Sequence, residues 1–279
     1  MTRLSSESIR DIPTSLEVLD RDLLYRTGYT LLGLAARTAV KSSIDVESEI
    51  RNYTAAVVPV SSGAGVIPGF AESVRAILSH IGLKAFITPP DIAGIGEAVE
   101  RRADLFFAAD DHRFLAFNLT GSLVVDNARA TAAGFVQALA AAIEIASGDL
   151  TGRVLADRDV LVLGLGAVGK HAAMELQRLG AQVWVYDSDA AKVTVFADSS
   201  KRVMTVPDIE TGLRKIDYIF DATPAAGIID ENMIRSTTII SCPGVPHGLT
   251  GAALSRIGSR FIHDNLPLGV ATMAVQCLF

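Results

Sequence analysis

Hydrophobic positions along this chain keep two rhythms, and the change between them outlines the fold. Up to about residue 43 the apolar residues recur at helical spacing, with Leu16, Leu19, Leu23 and Leu24 on one run and residues 29–38 on a second. Short β-branched and apolar runs then alternate with amphipathic stretches. Strands are predicted over 55–60, 83–88 and 105–109, with helices over 70–80 and 95–102. This is a small βαβαβ unit. An Ala-rich stretch over 131–147 reads as one long helix, about 25 Å at 1.5 Å per residue, long enough to bridge two domains.

After the turn-rich GDLTGR the rhythm resumes more regularly. Strands are predicted over 159–163, 182–186, 202–206, 218–222, 238–241 and 260–263, with a last helix over 268–278 that is expected to return to the first half. The expected fold class is α/β: a C-terminal Rossmann doubly wound parallel sheet, preceded by a smaller βαβαβ domain with N-terminal helices. The expected division is 1–150 on the substrate side and 151–279 on the nucleotide side.

Composition narrows the class. The apolar 49% is mostly Ala, Val, Leu and Ile, which suits helices packed on buried parallel strands. A formal net charge of -6 without a basic tract argues against nucleic acid as a partner. No signal-like apolar start is present, and Gln137 and Glu144 interrupt the most apolar helix, so neither secretion nor a membrane span is expected. Two distant cysteines, Cys242 and Cys277, give no disulfide framework. A cytoplasmic protein is expected, and a homodimer remains an open option.

The clearest chemical motif is Gly164-Leu165-Gly166-Ala167-Val168-Gly169, set between an apolar strand and an amphipathic helix, with a second strand ending in Asp187. Gly164 permits the tight turn, Gly166 lets a pyrophosphate approach the backbone, and Gly169 lets the helix pack closely. The helix start offers free N–H groups to phosphate. Asp187 is placed to accept ribose hydroxyls and would repel a 2′-phosphate, which favours NAD over NADP. Two further strand ends, Asp221-Ala222-Thr223-Pro224 and Ser241-Cys242-Pro243-Gly244, belong at the same carboxyl edge. Ala222, Thr223, Pro224, Cys242 and Pro243 are therefore candidate cofactor contacts, although ordinary strand-ending turns use the same residues.

On the substrate side, Ser61-Ser62-Gly63 and Asp110-Asp111-His112 end neighbouring strands, and Asp126-Asn127 precedes the long helix. Carboxylates and hydroxyls facing one edge suit a substrate with ammonium groups. Capping and solvated turns are the ordinary uses of these residues. The five histidines show no ligand spacing, so no metal is expected.

The segments VPVSSGAGVIPGF, AADDHRFLAFNL, VLVLGLGAVG, DATPAAGII, CPGVP and PLGVATM, in this order from Leu4 to near the C-terminus, resemble the pyrrolysine-biosynthesis dehydrogenases, the PylD family. The resemblance implies an NAD-dependent enzyme acting on a dipeptide-like substrate, 3-methyl-D-ornithyl-N6-L-lysine. The carbon bearing its terminal amine is oxidised, ammonia leaves and a pyrroline ring closes. An alkylammonium has a pKa near ~10.4, so a carboxylate or an ordered water must take its proton before hydride leaves. Asp111 is the candidate for this role or for holding the ammonium, with Asp110 as the alternative. Ser61, Ser62, Asp126 and Asn127 would orient the amino-acid ends, and Leu4 would belong to a lid. One departure stands out. A Glu expected before Pro-Leu-Gly is Leu266 here, with Asp264 or Asn265 as possible stand-ins. The competing assignment is an alanine-dehydrogenase-like or dipicolinate-synthase-like oxidoreductase. A non-catalytic NAD sensor is the third.

Overall fold

The computed structural model describes residues 4–39, 44–61, 67–200 and 203–279. Among the described residues the chain opens with helices α1 (Ser6–Ile9), α2 (Ile12–Thr27), α3 (Leu31–Ala36) and α4 (Val46–Glu49). α2 buries Leu16 and Leu23, as their spacing predicts, while Leu24 is half exposed.

The first sheet has strands β1 (Thr54–Val58), β2 (Lys84–Ile87), β3 (Leu105–Ala109), β4 (Phe114–Asn118) and β5 (Leu123–Asp126), in the order β2-β1-β3-β4-β5. The crossover helices are α5 (Phe70–His80) and α6 (Asp91–Glu100). β1 pairs in parallel with β2 and β3, which is the expected βαβαβ unit. β4 and β5 then extend it antiparallel, an addition the pattern does not announce. Both turns in this extension are built by short polar side chains. Asp110 Oδ1 accepts the N–H groups of His112 and Arg113, and Asn118 Oδ1 accepts those of Thr120 and Gly121.

α7 (Asn127–Ser147) is four residues longer than the Ala-rich run implied, because Asp126 caps it by accepting the Ala128 N–H. Its length and apolarity would suit a membrane span, yet most of it is buried within the protein. Gln137 and Glu144, the two polar interruptions, both point at one guanidinium: Arg37 donates to Gln137 at 3.1 Å and to both oxygens of Glu144 at 3.0 and 2.7 Å. Pairing of this kind is what lets charge sit inside a core.

The second sheet contains β6 (Asp159–Leu163), β7 (Gln182–Tyr186), β8 (Val203–Thr205), β9 (Tyr218–Asp221), β10 (Ile239–Cys242) and β11 (Phe261–His263). All are parallel, in the order β11-β10-β9-β6-β7-β8. Between them run α8 (Ala167–Arg178), α9 (Ala190–Ser199), α10 (Ile209–Lys215) and α11 (Gly251–Ile257). The order reverses between β6 and β9, which opens a crevice at their carboxyl ends.

α12 (Pro267–Leu278) leaves β11 and packs on α7, α3, α5 and the β4–β5 hairpin. α7 and α12 cross closely: a side chain at Gly134 would collide with Thr272, and one at Gly269 with Thr131. One continuous apolar core thus runs from the N-terminal helices through α7 to β6 and β7. The carboxyl edges of both sheets border the junction it spans.

Candidate active site

The glycine loop between β6 and α8 is shaped for a pyrophosphate. Gly164 stands at φ +87°, a left-handed conformation that glycine adopts without a Cβ penalty, and its N–H donates to the Tyr186 carbonyl at 2.7 Å. A Cβ at Gly169 would lie 1.8 Å from the Gly164 carbonyl, so only glycine lets the helix start this close to the turn. Gly166 is different. A Cβ there would meet nothing within 4 Å, so this face of the loop opens outward. No side chain caps α8, which leaves the N–H groups at its first turn for an anion. Ala167 is exposed and Val168 half-buried at this edge, while the Leu165 side chain points inward.

Asp187 follows β7, as the strand pattern places it. Its Oδ2 accepts the Leu165 N–H at 2.6 Å, its Oδ1 accepts the Asp189 N–H at 2.9 Å, and Lys192 Nζ lies 3.8 Å from Oδ1. The carboxylate therefore shapes the glycine loop itself. A carboxylate has about four lone-pair sites, so acceptor capacity for ribose hydroxyls remains.

At the next strand ends, one buried carboxylate organises the loops. Asp221 accepts from the Thr223 N–H and hydroxyl at 3.0 and 2.7 Å and from the Gly248 N–H at 3.1 Å. Ala222 and Thr223 are half-buried and Pro224 is exposed at the crevice. The expected cofactor contact through the Cys242 side chain needs correction. That thiol is wholly buried, 3.5 Å from Asp221 Oδ2, and burial pushes its pKa well up. Cys242 supports the crevice from beneath, while Pro243 after it lines a cavity at the junction.

On the substrate side the expected clusters separate. Asp110, at the end of β3, borders a cavity of about 250 Å³. Its walls are mainly apolar, from the ends of β1 and β3, from Ile67 to Glu72, and from Leu4 and Phe114. The N–H groups of Arg113 and His112 hold the Asp110 carboxyl below the usual carboxylate range. Asp111 is exposed in the same hairpin turn. Ser61 hydrogen-bonds Asp91 through both its N–H and its hydroxyl, which ties the β1 loop to the start of α6. Ser62 lies outside the described residues. Asp126 is a helix cap and also accepts from Arg113 at 2.9 Å, so its carboxylate is engaged at the surface. Asn127 instead turns inward and donates to Met273 Sδ at 3.3 Å.

Asn127 lines a second, smaller cavity of about 20 Å³, room for a single water. Leu4, Phe70 and Phe114 border both cavities. The smaller one is closed by Thr131 and Phe135 from α7, by Pro243, and by Asp264, Asn265, Leu266 and Gly269 around the start of α12. Asn265 donates to the Ser8 carbonyl at 2.7 Å and Ser73 to that of Ile9 at 3.2 Å, so both halves of the chain hold the N-terminal segment over the junction. Phe70, Phe114, Thr131 and Phe135 were not among the candidate residues. Their alternation or helical spacing marks them only as core, and nothing local says that the core is hollow there.

Comparison with known proteins identifies this arrangement. Residues 8–125 match the model of the N-terminal domain of pyrrolysine biosynthesis protein PylD. Residues 122–239 match that of the NAD binding domain of D-isomer specific 2-hydroxyacid dehydrogenases. Pyrrolysine synthase of Methanosarcina acetivorans is 34% identical over 223 residues, 80% of this chain and 81% of that protein. Pyrrolysine synthase of Methanosarcina barkeri is 30% identical over 279 residues, 100% of this chain and 98% of that protein.

The chain belongs to the pyrrolysine synthase family.

Its fold also resembles shikimate dehydrogenase from Aquifex aeolicus, with a TM-score of 0.52 at 14% identity over 80% of this chain and 90% of that one. Quinate dehydrogenase from Corynebacterium glutamicum, solved in complex with NAD, gives 0.51 at 15% identity over 80% and 93%. The second half of this family member is an NAD-binding domain and the protein is an oxidoreductase. Its glycine loop fits that cofactor: it is open above Gly166, uncapped at α8 and flanked by the Asp187 carboxylate.

Proposed function

We propose that this chain is a pyrrolysine synthase that oxidises the terminal amine carbon of 3-methyl-D-ornithyl-N6-L-lysine. Ammonia is released and a pyrroline ring closes. Family membership over the whole chain supports this reading. The observation that carries it is an apolar cavity, rimmed by Asp110, that shares Leu4, Phe70 and Phe114 with the small cavity lined by Pro243. An aliphatic chain bearing ammonium groups has that shape and charge.

Residues 1–150 are proposed as the substrate side and 151–279 as the cofactor side. Gly164 and Leu165, whose N–H groups bond Tyr186 and Asp187, would shape the loop; the N–H groups of Gly166, Ala167, Val168 and Gly169 would hold the pyrophosphate, and Asp187 would take the adenosine ribose hydroxyls. Ala222, Thr223, Pro224 and Pro243 would hold the nicotinamide half at the carboxyl edge of the sheet. When bound, NAD supplies the acceptor for the hydride.

Asp111 and Asp110 bind and orient the cationic substrate at the cavity mouth. Asp110 suits this role because it stays charged: the turn N–H groups that depress its pKa make it a weak proton acceptor. Ser61, Ser62 and Asn127 orient the polar ends of the amino-acid units. The engaged Asp126 acts by anchoring Arg113 and the start of α7. Leu4 covers the cavity and excludes water from the reacting carbon.

In bond terms, the ammonium loses a proton and the carbon a hydride, which leaves a C=N bond. The ornithyl α-amine then replaces ammonia at that carbon. The direct test is to incubate the protein with the isopeptide and NAD, follow reduced nicotinamide by absorbance, and identify the cyclised product by mass. Formation of both is expected. Reduced nicotinamide without the cyclic product, or neither, overturns the proposal.

A further inference from the structure

Among the described residues, the small cavity has one ionisable side chain on its walls, Asp264. It sits between β11 and α12 with the cofactor-side Pro243, the lid residue Leu4 and the amide of Asn127 around the same space. Its Oδ1 accepts the Leu266 N–H at 3.0 Å and the Leu268 N–H at 3.3 Å, and its Oδ2 also reaches the Leu268 N–H at 3.3 Å. These bonds fix the carboxyl group without neutralising it. Burial pushes its pKa up to about 7, against the two backbone N–H groups that lower it.

Among the described residues, no other titratable group lines this cavity. α7 contributes Asn127, Thr131 and Phe135, and the N-terminal segment contributes Leu4. His263, next along β11, places Nδ1 2.8 Å from the Cys242 carbonyl, on the side of His247 and Asp221. Asp110 lies at the rim of the adjoining cavity. An ammonium group occupies about the volume of the water this space can hold, and the aliphatic chain behind it would fill the larger cavity.

We propose that Asp264 is a catalytic residue that takes the proton from the substrate's terminal ammonium when that group enters the small cavity. One N–H bond breaks and one O–H bond forms. The electron pair stays on nitrogen, and the neutral amine that results is the species from which hydride can leave. The substrate's identity here rests on the pyrrolysine synthase reading; the role of Asp264 is tested separately.

The test measures isopeptide binding by calorimetry, with the wild-type protein saturated with NADH so that no turnover occurs. Each titration is run in two buffers of different ionisation heat, at about pH 6 and about pH 8. Near pH 6 Asp264 is mostly protonated, so lodging an ammonium against it must expel about one proton to the buffer. Near pH 8 the proton moves within the complex and almost none is released. An isopeptide analogue with a methyl group in place of the terminal amine should release none at either pH.

Equal release at both pH values, or equal release by the methyl analogue, overturns the assignment. Asp264→Asn should lower kcat/KM by about 100-fold or more and remove its rise with pH near neutrality, with NADH affinity unchanged. A folded Asn variant with the wild-type pH profile also overturns it. Isopeptide that binds and turns over without pH-linked proton release rejects Asp264 alone. Failure of the isopeptide to bind rejects both Asp264 and the substrate reading.

Discussion

The nucleotide loop and the junction cavity are built in opposite ways. The loop is local. Its turn, its opening and the helix behind it come from six consecutive residues, and the one distant partner, Asp187, follows the very next strand. The cavity is assembled from Leu4, the start of α5, the start of β4, α7, the residue after β10 and the β11–α12 junction. No two of these neighbour each other in sequence closely enough to form a motif. A ligand feature recognised through backbone geometry is written in a short stretch of chain. One recognised through enclosed volume and a buried charge depends on how distant elements pack.

Breaking the local half should have the largest effect. Gly169→Val drives a side chain into the Gly164 carbonyl, a collision the backbone cannot avoid. Overpacking of this kind costs about 1–3 kcal/mol or more. NADH affinity should fall by about 100-fold or more and the melting temperature should drop, read by fluorescence titration and thermal denaturation. A variant that binds NADH normally would mean that the loop geometry is not what holds the cofactor.

Asp187→Arg should come next. It removes the acceptor for the Leu165 N–H and adds a cation where a 2′-phosphate would sit. NADH affinity should fall by about 30-fold, roughly 2 kcal/mol, and the preference for NADPH should rise. An unchanged ratio of the two affinities would remove Asp187 from ribose recognition.

Gly166→Ala sharpens the comparison within the loop itself. Its Cβ meets open space, so the melting temperature without ligand should stay near wild type. NADH affinity should still weaken by about 10-fold, because the methyl group stands where the pyrophosphate approaches. Wild-type affinity would place the phosphates elsewhere.

The smallest shift is expected from Asp264→Asn, measured as stability against pH by denaturant unfolding. Burial raises the folded-state pKa of Asp264 to about 7, so the folded state holds this proton more tightly than the unfolded chain. Wild-type stability therefore falls as pH rises from the ordinary carboxylate range towards about 7 and levels off above it. Asn has no proton to lose. The stability of the variant relative to wild type should gain about 1 kcal/mol between about pH 6 and about pH 7. A pH-independent difference would mean that Asp264 is not desolvated in the folded protein.

Periodicity made most of the architecture legible. β3, β6, β7 and α5 occupy the predicted ranges, and the remaining predicted strands shift by only one or two residues at their ends. The β4–β5 hairpin was missed because DDHR and LTGS are polar turns whose strands are only four or five residues long. Side-chain chemistry was less legible. Asp126 and Asn127 are adjacent, yet one caps a helix at the surface and the other faces the interior. Ser61 spends its hydroxyl on Asp91, thirty residues away.

By itself, the chain's order of residues determined the α/β class and the nucleotide loop. These depend on backbone conformation and hydrophobic period, both of which act over a few residues. Only the tertiary structure decided which polar groups became buried, because desolvation is a property of packing. It enclosed Asp264 while leaving Asp110 and Asp111 at the surface. That separation divides carboxylates of the same chemical type: the turn N–H groups keep Asp110 charged, while burial leaves Asp264 able to accept a proton near neutrality.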